Sequence, residues 1–359
     1  MKPVAEWAGR AALVVGSVVL TLAVLELGCR LWRGPQWLWH WPNIVWMERR
    51  HVPMEWPVCS YIYDRTVGWA PNPGFTSVQF NVGADGLRRM PSLAASAASS
   101  SPVVATGDSF TEGDEVDDDQ SWPAYLQGLV GRRVLNAGVG GFGLDQTVLR
   151  TEQMVAGQVV SVAVVGFIVD DLRRMEESRS WDVDKPYFDL KDGGLHLRNS
   201  PVPPPRASCD SLPLWQRLLG WSVMIDGIAR RQRWMVDWIF DNVQALPEGS
   251  GRELACPVVG RLAKLGVPVL VVAQYDRTAW DNDDAYRLGQ HSEAERVLKC
   301  AAEAGLATFD SFDVVRQAIQ EQGVGALYRI GHHSPAGNRL IAETIAHELV
   351  RQRLLPPSN

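Results

Sequence analysis

Beyond residue 100 the chain is punctuated by apolar runs. Three are near-continuous and rich in β-branched residues: Val103–Thr106, Val159–Phe167 (VVSVAVVGF) and Val267–Ala273 (VPVLVVA). Val134–Asn136 and Ala307–Asp310 are shorter. A strand that is apolar at every position, rather than at alternate ones, is covered on both faces, as in a parallel sheet. Segments with helical patterning separate the runs: Gln120–Val130, Leu144–Ala156, Gly251–Leu265, Ser292–Ala304, Asp313–Gln322 and Pro335–Leu354. The last opens with Ser334 as N-cap and Pro335 in its first turn, where the missing N–H costs nothing. The alternation predicts an α/β domain built on a doubly wound parallel sheet over residues 101–355.

Two stretches break the alternation. LAASAASSSP (Leu93–Pro102) is small and polar and reads as a loop. Residues 182–251 read as an insertion. KPYFDLKDGGLHLRNSPVPPP predicts a hairpin turning at Asp192-Gly193-Gly194, and a Trp-rich helical stretch, Leu212–Leu246, follows as a cap or side module.

The amino-terminal pattern is of another kind. After a tail (residues 1–10), Ala11–Leu25 is uncharged, and the apolar run reaches Cys29 with Glu26 as its one interruption. Residues 11–29 reach the length of a short membrane span, about 17–25 residues. A cleaved signal peptide is the rival, but no A-x-A-like site closes the segment. A lipoprotein signal ending at Cys29 would carry Glu26 where an aliphatic residue is usual. Trp32, Trp37, Trp39, Trp41, Trp46 and Trp56 follow, within a linker and extension over residues 30–100. Indole rings favour the headgroup level, which supports a retained anchor, although Trp46 and Trp56 also suit packing on the globular domain. Lys2 and Arg10 precede the span and Arg30, Arg33, Arg49 and Arg50 follow it, so charge does not decide orientation.

Composition narrows the function. With 359 residues, 46% hydrophobic, 21% charged and a net charge of −6, the chain is globular with no general attraction to nucleic acid. The five cysteines form no CxxC pair and the histidines no metal-ligand spacing, so no metal or other cofactor is expected. Gly138-x-Gly140-x-x-Gly143 formally matches a dinucleotide loop, but the acid that would bind a ribose about 20 residues on is missing. No nucleotide partner is expected.

Four short motifs remain, each ambiguous alone. GDSFTEGDEV places Ser109 just after a strand, where turn serines are common; the nucleophile elbow of α/β-hydrolases does not fit, because Thr111 stands where its last glycine would be. NAGVGGFGLDQ offers backbone N–H groups near a ligand. VVGFIVDDLRR ends a strand in Asp170-Asp171, which also suits a solvated strand end, and YRIGHHSPAG places His332 and His333 before the final helix.

Their order resembles the SGNH, or GDSL-type, hydrolase superfamily over nearly the whole chain. The resemblance implies Ser109 as nucleophile, His332 as base, and an oxyanion hole from the N–H groups of Ser109 and Gly141 with the side chain at Asp170. The upstream FNVGADGLR and the single span with ELGCRLW resemble the membrane-anchored bacterial branch, which implies a domain outside the cytoplasmic membrane. The implied substrate is an acyl ester, on an envelope polysaccharide or another carrier. An O-acyltransferase would use the same acyl-enzyme, and a non-catalytic binding protein of the envelope is the reading from another class.

Two positions depart from the family pattern. Arg329 stands where an aspartate would orient His332, leaving a backbone carbonyl, Asp310 or Asp313 as substitutes. Asp170 replaces an asparagine whose N–H₂ would donate to the oxyanion. As a carboxylate it would repel that charge, so either it is protonated and donates, its pKa raised by burial and by Asp171, or it leaves the oxyanion hole to backbone N–H groups, with Arg173 as its other neighbour. Asp108 is expected to hold the Ser109 turn, His333 to point away from Ser109, and the acidic run Glu112–Asp119 to be a solvated loop. The four cysteines beyond the span are available for disulfides if exported, with the pairing open.

Overall fold

A computed structural model describes residues 2–41, 43–45, 60–93, 100–181, 183–204, 214–231, 238 and 242–356. Trp46, Trp56, Cys59 and Cys209 lie outside these. The chain divides into two compact units, residues 1–56 with 207–242, and residues 57–206 with 243–359.

The larger unit holds a five-stranded sheet: β1 (Val103–Thr106), β2 (Val134–Asn136), β3 (Val162–Phe167), β4 (Val269–Ala273) and β5 (Ala307–Asp310). Their order is β5-β4-β3-β1-β2 and every pairing is parallel, with Val103 opposite both Val134 and Val162. Every residue of β1 to β4 is buried, as the unbroken apolar runs require, whereas β5, at an edge, is half-buried.

Helices α2 (Ser109–Glu112), α3 (Trp122–Val130), α4 (Leu144–Ala156), α5 (Ser250–Val259), α6 (Asp284–Glu303), α7 (Phe312–Gln322) and α8 (Pro335–Arg351) connect and cover the strands. α4 and α6 pack on α5, and α8 packs on α3. Ser334 caps α8 as predicted, accepting from the Gly337 N–H. The order reverses between β1 and β3. In such sheets, ligands bind outside the carboxyl ends of the strands at that switch point.

Three boundaries differ from expectation. The sheet unit begins at Pro57, not at residue 101. Strands Tyr61–Asp64 and Gly68–Pro71 pair with each other, and the Gln146 side chain donates to the Val67 carbonyl in the turn between them. The insertion is divided as well. Its hairpin (Tyr187–Lys191 with Gly194–Arg198) stays with the sheet unit, but residues 207–242 belong with the amino terminus. Of the open cysteine pairings, Cys256–Cys300 is formed, joining α5 to α6.

The smaller unit contains α1 (Lys2–Arg33) and two helices of the insertion, Leu214–Leu219 and Val223–Arg231. Within α1, Gly9–Arg33 is long and apolar enough to cross a membrane, and its apolar side chains, such as Leu13, Val15 and Leu20, are more than half exposed.

Candidate active site

β1 delivers the chain to the switch point, where Asp108 stops it by capping α2: its carboxylate accepts from the Phe110 N–H at 3.0 Å. Ser109 is therefore the first residue of a one-turn helix, its backbone fixed by that cap. Ser109 as a whole is 7% exposed. The His332 Nε2 lies 2.8 Å from the Ser109 Oγ. On the far side of the ring, Nδ1 is 3.2 Å from Oε1 of Glu115, and that carboxylate also accepts from the Gly331 N–H at 3.1 Å.

Glu115 is the residue that sequence reasoning missed. It lies in the acidic run read as solvated, six residues after Ser109, and occupies the place left open by Arg329. The substitutes considered do other work. Asp310 accepts from the Tyr275 hydroxyl and pairs with His291, and Asp313 pairs with Arg316. The signal lay upstream, in FNVGADGLR. Arg88 is 3% exposed and donates to the carbonyls of Glu112, Gly113, Val116 and Gln79, while its Nε pairs with Asp118. A buried guanidinium that takes three carbonyls of one loop fixes the course of that loop. Glu115 itself sits at φ 66°, a left-handed conformation uncommon for a residue with a side chain.

The charges follow from this packing. Burial disfavours a charged His332, but the Glu115 hydrogen bond and the charges of Asp114, Glu115 and Asp108 outweigh it, and its pKa lies above the ordinary imidazole value. Glu115 is pushed up by burial and held down more strongly by His332, with a net lowering. His333 is enclosed by Phe110 and Tyr328, and burial, aided by the His332 charge, drops its pKa to about 3. It stays neutral and apart from Ser109, as expected.

The loop after β2 approaches Ser109 closely. A Cβ on Gly138 would lie 2.3 Å from the Glu112 nitrogen, so only glycine fits. The Gly140 N–H donates to the Glu112 Oε2 and its carbonyl accepts from the Trp69 indole, which clamps that peptide on both sides. Glu112 is fully buried and shared with the Tyr61 hydroxyl; burial and the Asp114 charge push it well above the carboxylate range. Gly141 follows in the left-handed region, φ +76°, and a Cβ there would touch the Trp181 ring at 3.5 Å. Trp181 is thus a wall of the site that no motif announced. Among the described residues, no acceptor takes the N–H of Ser109 or Gly141.

Asp170 departs from the protonated alternative. Burial does raise its pKa, but Arg174 and Arg173 more than reverse that and hold it at about 2. It pairs with Arg173 at 2.8 Å and with Arg174 at 3.0 Å, so it is an ionised carboxylate, not a protonated donor. The donor at this strand end is Arg174. Its guanidinium joins Asp170, Asp171 and Asp108 and donates to the Phe142 carbonyl, one residue beyond Gly141. Asp171 is fully buried, accepts from the Ile168 N–H and is pushed well above the carboxylate range by burial and by Asp108. Arg173 points elsewhere as well, to Glu177.

No protein-family model matches the chain, and no curated protein sequence does. Solved structures do resemble it. LAE5, an alpha/beta hydrolase enzyme from the metagenome of Lake Arreo, Spain, aligns at 15% identity over 70% of this chain and 95% of its own, with a TM-score of 0.44. A lipolytic protein of the G-D-S-L family from Veillonella parvula aligns at 13% identity over 70% and 97%, TM-score 0.39. Axe2, an acetylxylan esterase from Geobacillus stearothermophilus, aligns at 15% over 70% and 95%, TM-score 0.41. At that level of similarity no function carries over, and the chemistry is read from the residues.

Proposed function

We propose that the chain is a serine ester hydrolase of the SGNH type, with Ser109, His332 and Glu115 as its catalytic chain. One observation carries this reading: a continuous hydrogen-bond line from the Ser109 Oγ through both nitrogens of His332 to Glu115. A serine hydroxyl attacks a carbonyl only when a base takes its proton, and an imidazole held by a carboxylate on its far nitrogen has the tautomer for that task.

In the proposed mechanism, His332 Nε2 accepts the Ser109 proton as Oγ bonds to the ester carbonyl carbon. The carbonyl π electrons move onto oxygen, and the N–H groups of Ser109 and Gly141 stabilise that oxyanion. Collapse expels the alkoxide, which takes the proton from His332. Water then repeats the sequence on the acyl-Ser109 and releases a carboxylic acid. Asp170 takes no part in the oxyanion hole. The small exposure of Ser109 and the Trp181 wall favour a short acyl group.

The test is incubation with a fluorophosphonate and intact mass, alongside turnover of an acetyl ester. One adduct that disappears in Ser109→Ala is expected. An unreactive, correctly folded protein would leave an envelope binding protein as the better reading.

We also propose that Ala11–Cys29 anchors the protein in a membrane with the sheet unit exported. The helix continues through Cys29 to Arg33, and the Glu26 carboxylate accepts from Ser222, Val223 and Met224, so cleavage at Cys29 would remove a structural cap. The Cys256–Cys300 bond suits an oxidising compartment. Protease added to spheroplasts should digest the sheet unit; complete protection would place it inside. An acyl ester of an envelope glycan is the substrate class that this location favours.

A further inference from the structure

Within the smaller unit, the end of α1 is bound to the insertion by polar contacts. Glu26 accepts from the Ser222 hydroxyl and from the N–H groups of Val223 and Met224, at 2.7 to 3.0 Å. Arg30, 2% exposed, pairs with Glu26 and donates to the carbonyls of Trp37, His40 and Trp221. Arg33 reaches Asp226. Just past the span, the Asn43 side chain donates to the Arg217 carbonyl and the Ile44 N–H to that of Gly220. The helix Val223–Arg231 is therefore held at the level of the last turns of α1, and Leu214–Leu219 is tied to the segment that follows the span.

That level has a meaning if α1 spans. Ala11 to Cys29 makes about 28 Å of helix, close to the ~30 Å of a hydrocarbon core. Glu26 then lies roughly one turn inside the boundary, where a lone carboxylate is costly. The insertion removes that cost by placing a hydroxyl and two N–H groups on it. What these two helices turn outward is largely apolar, with Arg217 and Arg231 beside the apolar side chains. Leu214, Trp215, Leu218 and Leu219 are 69%, 49%, 66% and 41% exposed, and Trp221 and Ile228 are nearly half exposed. At ~100° per residue the four in Leu214–Leu219 fall within about 140° of arc, while Gln216 on the other side is fully buried. A soluble protein rarely leaves so many large apolar side chains in water, and Trp and Leu on one helix face are the composition of an interfacial helix.

Resting on the membrane-anchored reading above, we infer that residues 214–231 form a second membrane contact: an in-plane apolar platform that lies in the lipid headgroup–acyl boundary beside the end of the span. Its occupant is the lipid bilayer surface. Trp32 and Trp39, 89% and 87% exposed, follow the span in sequence and suit the same aromatic belt. The helical part of the insertion, read from sequence as a cap or side module on the sheet, thereby becomes part of the anchor.

The test uses the full-length chain in phosphatidylcholine–phosphatidylglycerol vesicles. Cys29, Cys59 and Cys209 are replaced by serine, and a nitroxide is attached to Leu218→Cys, Val19→Cys or Gln322→Cys. Collision with oxygen, which concentrates in lipid, is compared with collision with a water-soluble nickel chelate. The expected result is that the label at position 218 favours oxygen as the one at 19 does, while the label at 322 favours the chelate. If position 19 favours oxygen but 218 behaves like 322, the span stands and the platform is refuted. If 19 and 218 both favour the chelate, the membrane reading itself fails. Shielding of 218 from both reagents would mean a protein surface covers it, and would equally overturn the lipid contact.

Discussion

Glu115 and Asp170 are both carboxylates at the carboxyl end of the sheet, one in the loop that follows β1 and α2, the other opening the short helix Asp170–Arg174 after β3. Both have depressed pKa values because a cation faces them. Glu115 faces a histidine, a cation that can give up its proton, so the pair can turn over. Asp170 faces two guanidiniums that do not deprotonate, so it is a fixed charge. The same residue chemistry therefore yields the proposed catalytic partner at one strand end and a brace at the other. The identity of the cation makes the difference.

That contrast can be broken in order of expected effect. Removing the proposed nucleophile sets the scale: Ser109→Ala should lower kcat by roughly 10⁶, and Ser109→Ala combined with His332→Ala should fall little further if, as proposed, the residues act as one unit. Additive losses in steady-state kinetics would separate them.

Glu115→Gln probes the catalytic half of the contrast. Losing the orienting carboxylate should cost up to about 10⁴ in turnover. The pH profile should move too. Activity needs neutral His332, so it falls as pH drops through a pKa that Glu115 holds above the imidazole norm; without that charge the acid limb should shift to lower pH. An unchanged limb in kcat/KM would remove Glu115 from the catalytic chain.

Arg174→Met probes the brace. It strips the guanidinium from the fully buried Asp108 and Asp171, and breaking a buried ion pair from one side costs about 3–5 kcal/mol. Urea denaturation should show that loss, and a midpoint equal to wild type would mean the network is not structural.

The smallest effect belongs to Asp170→Asn. The carboxylate is 36% exposed, so its pairs should contribute about 1 kcal/mol or less. Its folded pKa is depressed to about 2 from 3.8, so its stabilisation is present above the unfolded value and lost as pH falls between the two. At neutral pH the variant should keep most of the activity, with no change in the alkaline limb. A large gain in turnover would instead put this side chain in the oxyanion hole.

Much of the fold was legible in the chain. β1, β2, β5 and α4 match the sequence reading end to end: β1 and β2 are unbroken apolar runs because they are buried on both faces, β5 is a short half-buried edge strand, and α4 is amphipathic. The position of Ser109 after a strand and of His332 before the final helix was equally plain. Glu115 was not. A run of acids looks solvated, and nothing local says that Arg88, far upstream, will fold the loop back onto His332. Asp170 misled for a similar reason: its neighbours Asp171, Arg173 and Arg174 were all visible, but not which of them would turn towards it.

Sequence alone thus determined what is written in short-range periodicity and composition: strand and helix identity, the long apolar helix α1, and the order of the Ser109 and His332 motifs. Tertiary structure alone decided which charges meet. Glu115 joined His332, Arg174 joined Asp170, and Glu26 was satisfied by a segment almost two hundred residues away. Hydrophobic burial is non-directional and repeats along the chain, so it can be read locally. Ion pairs and hydrogen bonds depend on distances of a few ångströms between remote residues, and only the folded chain sets those distances.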